Sequence, residues 1–470
     1  MGKRFYLETF GCQMNVVDSE QISTLLEEMG YEPCAEAAAA DLILLNTCSI
    51  RDKAERKVIG HLWRFKPLKE ARPHLLIAVG GCVAQQEGKR LLDSLPHVDL
   101  VFGTHNIHRL PELIHRARKG EREAATLFFD SQTRLALFPR RRLDGAVTRY
   151  VTVMQGCDNF CAYCVVPHVR GREISRPSTE VLEEVRQLAA GGVREVTLIG
   201  QNVNSYGGNA TGELSFPELL AAVHDIPDLC RLRFVTSHPK NLSDRLIDSF
   251  GALPKLCRHI HLPLQSGSDR VLAAMGRGYT ARSYVDKVRR LRAVCPEIRI
   301  TSDIIVGFPG ETEEDFQATL ALAAEVGYAD LYTFLYSRRP GTAAIHLPDS
   351  VPAAVKQERF DRLLAQQERI SAAVWGQDIG RTLPVLVEGE SRHGAGQIFG
   401  RTTWGRIVNF TGPQELVGAT VPVTIVDSYR NSQLGEYEAG SCRLADCGIG
   451  AGSAAGRQVA PPAKHSAIST

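Results

Sequence analysis

The sequence lacks any long uninterrupted run of apolar residues. No segment approaches the roughly 18–20 consecutive apolar residues that a membrane-spanning helix needs. The basic pair Lys3-Arg4 opens the chain, but Glu8, Gln13 and Asn15 interrupt the apolar stretch that a secretory signal requires. We therefore expect no contact with a membrane and a cytoplasmic location.

The chain also lacks an excess of charge of either sign. Its 470 residues include 55 Lys and Arg against 53 Asp and Glu, which gives a formal net charge of +2. This balance excludes a protein that holds nucleic acid by overall basicity, but it is compatible with a local basic groove. A single core stops growing at roughly 250–300 residues, so the length favours several domains.

Cysteine, in contrast, is abundant for a cytosolic chain, with 12 residues. Thiols stay reduced in the cytosol, so grouped cysteines there point to metal binding or catalysis more than to disulfides. The alternative is that each cysteine is a small buried apolar residue.

Strand-like apolar runs alternate with helix-like stretches over residues 3–120, which predicts a parallel sheet in an N-terminal α/β domain. The first helix is predicted over Asp18–Met29, with Asp18 or Ser19 as its N-cap. Three strand-like runs, at residues 5–7, 42–45 and 75–79, are each followed by a cysteine, namely Cys12, Cys48 and Cys82. Parallel strands end at one edge of a sheet, so we expect this N-terminal triad to meet in space, unless these are three unrelated core cysteines.

Three further regions follow along the chain. Residues 143–373 contain six strand-like runs with helices between them, which predicts a complete or partial (β/α) barrel with its site at the strand C-terminal ends. Residues 376–445 carry three short strand-like runs, at residues 383–387, 406–410 and 421–425, separated by glycines, which is typical of a small β-barrel or sandwich. Residues 448–470 are rich in Gly, Ala, Ser and Pro and are predicted to be a disordered tail. Residues 134–149, with a local charge balance of +4, are predicted to be a linker.

The sharpest motif is the C-x3-C-x2-C pattern of Cys157, Cys161 and Cys164, which follows the first strand of the central region. Three thiolates can hold three irons of a cubane cluster and leave the fourth iron open for substrate. Zinc is the alternative, with His168 as the fourth ligand of a closed site. We refer to these cysteines as the loop triad.

This spacing, with Tyr163 just before the last cysteine, resembles the radical S-adenosylmethionine superfamily. Together with the N-terminal triad and the C-terminal β domain, it resembles the methylthiotransferase family over residues 4–445. The resemblance implies that the loop triad holds a 4Fe-4S cluster that binds S-adenosylmethionine and generates a 5′-deoxyadenosyl radical. It further implies that the N-terminal triad holds a second 4Fe-4S cluster that carries the inserted sulfur, and that the C-terminal domain is a TRAM domain. A second S-adenosylmethionine serves as methyl donor in the family reaction.

The residues around Cys12 narrow the resemblance to one branch. Residues 9–15 read Thr-Phe-Gly-Cys-Gln-Met-Asn, as in the branch that methylthiolates C2 of N6-dimethylallyladenosine at position 37 of tRNA, next to the anticodon. The alternatives are the same chemistry on a ribosomal-protein aspartate or on threonylcarbamoyl-adenosine in tRNA, or a non-catalytic RNA-binding protein with structural zinc. The resemblance to the branch that acts on N6-dimethylallyladenosine implies tRNA as substrate and a low-potential electron donor of the flavodoxin or ferredoxin type. We expect the protein to be a monomer.

Several further residues are predicted to bind the cofactor because they sit at predicted strand ends or match the superfamily pattern. They are Tyr163, Gln201, Asn202, Ser237, Gln265, Asp303 and Gly307. The alternative for the strand-end residues is ordinary turn chemistry.

Candidates for RNA contacts are Arg170, Arg172 and Arg176 after the loop triad, which salt bridges to nearby acids would otherwise explain. In the C-terminal domain, Arg401 and Trp404 are predicted to contact RNA, with Trp404 stacking on a base. That domain has a charge balance of −2 over residues 376–447, so its RNA contact must come from one face. No role is predicted for the remaining cysteines, which are Cys34, Cys230, Cys257, Cys295, Cys442 and Cys447.

Overall fold

The computed structural model describes residues 2–49, 52–128, 145–208, 212–392, 394 and 396–438, with backbone only for residues 52–57. The predicted tail at 448–470, Cys442, Cys447 and residues 134–144 of the predicted linker lie outside these ranges. Within the described residues, no helix combines the length and the apolar character needed to cross a membrane.

The N-terminal domain is a six-stranded parallel sheet with helices on both faces. Its strands are β1 (Lys3–Thr9), β2 (Tyr31–Pro33), β3 (Leu42–Thr47), β4 (Leu76–Gly81), β5 (Leu100–Phe102) and β6 (Glu123–Ala125). Their order is β2-β1-β3-β4-β5-β6, so the strands that precede Cys12, Cys48 and Cys82 are neighbours. The sheet continues to β6, beyond the predicted boundary at residue 120.

Apolar clusters cover both faces of this sheet. The helices are α1 (Gln13–Glu28), α2 (Asp52–Ala71), α3 (Cys82–Glu87), α4 (Lys89–Ser94) and α5 (Leu110–Arg118). Leu42 and Leu44 of β3 pack into one cluster, while Ile43 and Leu45 pack into the other. A strand buried on both faces needs apolar residues at every position, which explains its continuous apolar run.

Helix α1 begins at Gln13, earlier than the sequence predicts. Cys12 occupies the N-cap position, and Asp18 and Ser19 lie inside the helix on its buried face. The predicted N-cap is therefore wrong. The physical reason is that Asp18 finds its partner in Arg170 of the central domain instead of in the helix N–H groups.

The central domain is a partial barrel of six parallel strands, as predicted. The domain contains eight strands among the described residues, the six of the barrel and two outside it: β7 (Thr148–Thr152), β8 (Met154–Gln155), β9 (Ile174–Ser175), β10 (Glu195–Ile199), β11 (Arg231–Phe234), β12 (His259–His261), β13 (Arg299–Val306) and β14 (Asp330–Leu335). The barrel consists of the sheets β11-β10-β7 and β12-β13-β14, while β8 and β9 form a short antiparallel pair. The two barrel sheets approach each other at a single bridge between Leu232 and Leu256.

Eight helices of the described residues belong to this domain and cover the outside of the barrel or connect its loops. They are α6 (Val166–Arg170), α7 (Ser178–Ala190), α8 (Phe216–His224), α9 (Asp244–Ala252), α10 (Asp269–Ala274), α11 (Ala281–Val294), α12 (Glu313–Val326) and α13 (Ala353–Gly376). Since all barrel strands are parallel, their carboxyl ends share one edge, and the loop triad follows the first of them.

The C-terminal domain is a closed five-stranded barrel, which confirms the prediction of a small β domain. Its strands are β15 (Thr382–Glu390), β16 (Gln397–Arg401), β17 (Ile407–Thr411), β18 (Thr420–Ser428) and β19 (Ser432–Glu436). The sequence predicts only three of them, because Gly400 and Gly435 interrupt the apolar patterns of β16 and β19.

A buried charge pair between two aromatic rings joins this barrel to the central domain. Arg299, at the start of β13, donates two hydrogen bonds to Asp378, at 2.7 and 2.8 Å. Its guanidinium lies 4.2 Å from the ring centroid of Trp375 and 4.0 Å from that of Trp404. The Trp404 indole also donates to the Glu297 carbonyl at 2.8 Å. The prediction that Trp404 stacks on a base is therefore wrong, because its ring is buried against the amino ends of the central strands.

Substitution of Asp378 by alanine should weaken this junction strongly. It leaves the buried Arg299 charge without its partner, a change that typically costs about 3–5 kcal/mol. Urea unfolding followed by tryptophan fluorescence measures the effect directly, since Trp375 and Trp404 are two of the chain's 3 tryptophans. The matched control is Asp286→Ala, whose carboxylate is 59% exposed in its ion pair with Arg289. Equal unfolding midpoints for the two variants would contradict the importance of the junction.

Candidate active site with two cysteine triads

The N-terminal triad lies at the carboxyl ends of three adjacent strands. Cys12 follows β1, Cys48 follows β3 and Cys82 begins α3 directly after β4. A hydrogen bond from Cys48 is the largest influence on Cys12, lowering its pKa to about 6 against the opposing effect of burial. The structure therefore brings together residues separated by about one strand–helix–strand unit each.

Gly11 allows this close approach. Its backbone has φ of +116°, and a Cβ at this position would lie 2.2 Å from the Cβ of Cys48. Only glycine fits there without moving the neighbouring strand end.

A buried amide pair supports the strand ends behind the N-terminal triad. The Asn15 side chain donates to Asn46 Oδ1 at 3.2 Å and to the Thr47 carbonyl at 2.8 Å. Asn46 donates in return to the Asn15 carbonyl and to Ser19, both at 2.9 Å. Sequence reasoning missed these two asparagines as a pair, although each lies close to a cysteine of the triad.

Backbone hydrogen bonds to two other segments, and one within the loop itself, hold the loop triad. The Cys157 N–H donates to the Gly171 carbonyl at 3.2 Å, and the Ala162 N–H donates to the Met275 carbonyl at 2.8 Å. Cys164 N–H donates to the Cys161 carbonyl at 2.9 Å, which turns the chain between these two thiols. These bonds present all three cysteines from one short loop.

The Cys161 sulfur has two nitrogen neighbours that sequence reasoning missed. Arg277 Nη1 lies 3.3 Å from it, and His238 Nε2 lies 3.8 Å from it. Arg277 is 4% exposed and also donates to the hydroxyl groups of Tyr163, at 3.3 Å, and Tyr279, at 3.0 Å. A buried cation beside a thiol is the kind of partner that stabilises a thiolate.

His238 is oriented toward Cys161 by its other ring nitrogen. Its Nδ1 accepts a hydrogen bond from the Lys240 N–H at 3.2 Å, so the Nε2 atom carries the hydrogen of the neutral ring. Burial, followed by the charges of Arg277 and Lys240, lowers the pKa of His238 to about 2. The ring is thus a neutral donor that faces the sulfur.

The donor sets of both triads fit iron–sulfur clusters. Burial and the neighbouring Cys161 raise the pKa of Cys164 to about 12, a rise that a bound metal cation would offset. Across the described ranges, no three His, Cys, Asp or Glu side chains converge tightly enough to hold one metal ion. The zinc alternative, a closed four-ligand site with His168, stays a prediction.

Two of the predicted cofactor residues contact the loop triad's own surroundings. The Gln201 side chain accepts from the Gly156 N–H at 2.5 Å, next to Cys157. Tyr163 packs with Phe308 and Met275 in a small apolar cluster, and burial raises its pKa well above the usual range. Both side chains therefore hold the loop in place.

Of the other predicted cofactor residues, Asn202 and Ser237 follow β10 and β11, while Asp303 lies within β13, and each has a protein partner. Asn202 donates to Asn241 at 3.1 Å, and Ser237 donates to the His261 carbonyl. His261 Nε2 lies 3.4 Å from Asp303 Oδ2.

Gln265 and Gly307 follow β12 and β13 with left-handed backbone, at φ of +73° in both cases. Such a conformation is uncommon for a residue other than glycine and marks Gln265 as a constrained position. These two residues border the same edge as the loop triad.

Two of the arginines predicted to contact RNA are buried in ion pairs. Arg170 is 3% exposed and donates to Asp18 at 2.6 Å. Arg176 is 6% exposed and pairs with Glu180 and Glu184. The prediction of phosphate contacts is wrong for both, because each guanidinium is buried and paired with carboxylates inside the protein.

Arg172 and Arg401 remain partly accessible. Arg172 is 73% exposed, pairs with Asp158 at 2.8 Å, and has its guanidinium 5.1 Å from the ring centroid of Phe160. That ring is 49% exposed. Arg401 is 35% exposed and pairs with Glu388.

The remaining cysteines of the described residues lie apart from both triads in the fold. Cys34 follows β2, where its thiol donates to the Phe5 carbonyl at 3.3 Å, and Cys257 and Cys295 are buried. Cys230 is partly exposed just before β11. Burial raises the pKa of Cys34, Cys257 and Cys295, as expected for thiols that serve packing.

Three family models match consecutive parts of the chain. The uncharacterized protein family UPF0004 matches residues 4–103, the Radical SAM superfamily matches residues 151–323, and the TRAM domain matches residues 376–437. These matches coincide with the two triad-bearing domains and the C-terminal barrel.

Curated relatives match over almost the whole chain. The chain is 60% identical over 439 residues to the tRNA-2-methylthio-N(6)-dimethylallyladenosine synthase of Syntrophotalea carbinolica, covering 92% of the chain and 99% of that relative. It is 57% identical over 434 residues to the synthase of the same name from Geotalea uraniireducens, covering 92% and 98%.

Solved structures share the fold at low identity. A radical S-adenosylmethionine methyltransferase from Kitasatospora setae, with cobalamin and a 4Fe-4S cluster bound, has a TM-score of 0.55 at 18% identity. The match covers 73% of this chain and 77% of that one. This likeness supports the arrangement of an α/β domain in front of a partial barrel.

Proposed function

The chain belongs to the family of tRNA-2-methylthio-N(6)-dimethylallyladenosine synthases, and from this premise we infer that it methylthiolates C2 of N6-dimethylallyladenosine next to the anticodon of tRNA. The observation that carries this function is the 60% identity over 92% of the chain. The protein is a radical S-adenosylmethionine enzyme, which implies a 4Fe-4S cluster and S-adenosylmethionine as cofactors. Its substrate is a tRNA.

We propose that the loop triad holds the cluster that binds S-adenosylmethionine, and that the N-terminal triad holds a second 4Fe-4S cluster carrying the sulfur. When bound, these groups supply the radical that removes the non-acidic hydrogen at C2, together with the sulfur and methyl group that replace it. The thiol-only donor sets, and the strand order that brings the N-terminal triad to one edge, support this assignment. A low-potential electron donor of the flavodoxin or ferredoxin type would serve the loop triad, and the cytoplasm is where we expect the reaction.

The part played by the chain is placement and shielding. Gln201 fixes the start of the cluster loop through the Gly156 N–H, and Ala162 is tied to the Met275 carbonyl. Val165 and Val169 pack against Cys82, so apolar side chains from the loop's own helix cover a ligand of the other triad. This packing excludes water where a reactive intermediate must survive.

Substituting each triad by alanine should separate two activities. Loss of the loop triad should abolish cleavage of S-adenosylmethionine, whereas loss of the N-terminal triad should leave cleavage but stop methylthio insertion. Cleavage is measured by chromatography of 5′-deoxyadenosine. Methylthio insertion is measured by mass spectrometry of tRNA nucleosides from a complemented deletion strain. Unchanged 2-methylthio-N6-dimethylallyladenosine in the deletion strain would overturn the proposed function. If methylthio insertion survives the loss of the N-terminal triad, the second cluster has no part in the reaction.

Substitution of Arg277 by methionine should make the loop-triad cluster harder to reduce. A cation that donates to a ligand sulfur stabilises the more negative reduced state, so its removal lowers the reduction potential. Redox titration followed by electron paramagnetic resonance measures this, in a background where the N-terminal triad is alanine. Arg277→Lys keeps the charge and should shift the potential less. Identical potentials in all three proteins would refute the role of this contact.

Arg172 and Phe160 are the proposed RNA contact beside the loop triad, because both are exposed and the guanidinium stacks on the ring. Arg172→Ala should weaken tRNA binding. It should also reduce the slope of log affinity against log salt concentration by about 1, the effect of losing one phosphate contact. Filter binding at several salt concentrations measures both. Arg289→Ala is the control, since Arg289 is 67% exposed on α11. Equal salt slopes for the two variants would exclude Arg172 from the interface.

A further inference from the structure

Arg170 lies buried between the two cysteine triads. It ends α6, the five-residue helix that follows Cys164, and its side chain is 3% exposed. Its Nη2 donates to Asp18 Oδ2 at 2.6 Å, and its Nη1 to Asp18 Oδ1 at 3.4 Å. Asp18 belongs to α1, the helix that Cys12 caps. One ion pair therefore connects the helices that adjoin a cysteine of each triad.

Other contacts hold α6 against the N-terminal domain. The Thr104 hydroxyl donates to the Val169 carbonyl at 2.8 Å, and His105 Nε2 lies 2.9 Å from the Arg170 carbonyl. On another side, Val165 and Val169 pack against Cys82. The helix after the loop triad is thus fixed by polar contacts at its end and by apolar contacts along its length.

The Arg170 charge lies close to the N-terminal triad. Val169, the residue before Arg170, packs against Cys82. Asp18, the partner of Arg170, belongs to the helix that Cys12 caps, so the ion pair is buried beside two of the three cysteines.

We propose that Arg170 is a positioning residue that couples the two triads: with Asp18 it fixes α6 against the N-terminal triad, and its charge raises the reduction potential of the cluster held there. The proposal rests on the proposed function, since it assumes a cluster on Cys12, Cys48 and Cys82. A buried cation near cluster thiolates stabilises the more negative reduced state. Asp18 has the opposite influence and limits the effect.

Opposite substitutions in the pair give the decisive test. Arg170→Gln removes the cation and should lower the reduction potential, whereas Asp18→Asn frees the cation and should raise it. Arg170→Lys keeps the charge and should stay close to the parent protein. Potentials are measured by redox titration with electron paramagnetic resonance on the full chain, in a background where the loop triad is alanine so that one cluster contributes.

A second measurement uses the protein with both triads intact. Arg170→Gln should reduce methylthio product by about 10–100-fold, the usual range for residues that support metal ligands. Cleavage of S-adenosylmethionine should be retained, so the ratio of 5′-deoxyadenosine to product rises. Arg170→Lys should restore part of the product.

Potentials that stay unchanged, or that shift in the same direction in Arg170→Gln and Asp18→Asn, would overturn the proposal. If Arg170→Gln does not fold, the other two variants still test the proposal. It requires a higher reduction potential in Asp18→Asn and a reduction potential close to that of the parent protein in Arg170→Lys. A parent protein that forms both clusters but no methylthio product would contradict the proposed function alone, because the potentials do not depend on the substrate.

Discussion

Neighbouring parallel strands end at the same edge of a sheet, and both α/β domains use this constraint to gather residues that are distant in the sequence. In the N-terminal domain, β1, β3 and β4 lie side by side, so Cys12, Cys48 and Cys82 meet although 34 to 36 residues separate them in the chain. In the central domain the same rule places the loop triad near the ends of β10 to β13. The two edges then face each other across α6, which begins just after Cys164 and packs on Cys82.

Buried arginines make key contacts between the domains and beside the loop triad. Arg170 joins the first two domains, Arg299 joins the second and third, and Arg277 lies beside the Cys161 sulfur. Each carries a charge that would be costly in isolation and is therefore matched by a carboxylate, by aromatic rings or by a thiol. The chain is nearly neutral and several of its arginines are buried, so fewer arginines on its surface can contact RNA. RNA recognition must therefore rest on local exposed groups such as Arg172.

The sequence predicted the domain order and the parallel sheets because apolar periodicity and the positions of cysteine are local patterns. It failed where a residue's role depends on a partner far along the chain. Asp18 is a residue type that often caps helices, and Arg170 is one that often contacts phosphates. In the structure they form an ion pair with each other, although 152 positions separate them in the chain. The prediction for Trp404 is wrong for the same reason, since its ring packs on Arg299, more than 100 residues away in the chain. Arg277 carries no local signal at all: only the fold places it beside Cys161.

The central claim is that one chain carries two clusters on two triads. Iron and acid-labile sulfide measured on anaerobically purified full-length protein test it most directly. Two cubane clusters predict about eight irons and about eight sulfides per chain, falling to about four of each when either triad is replaced by alanine. Zinc in place of iron, or about four irons that survive loss of the N-terminal triad unchanged, would contradict the account.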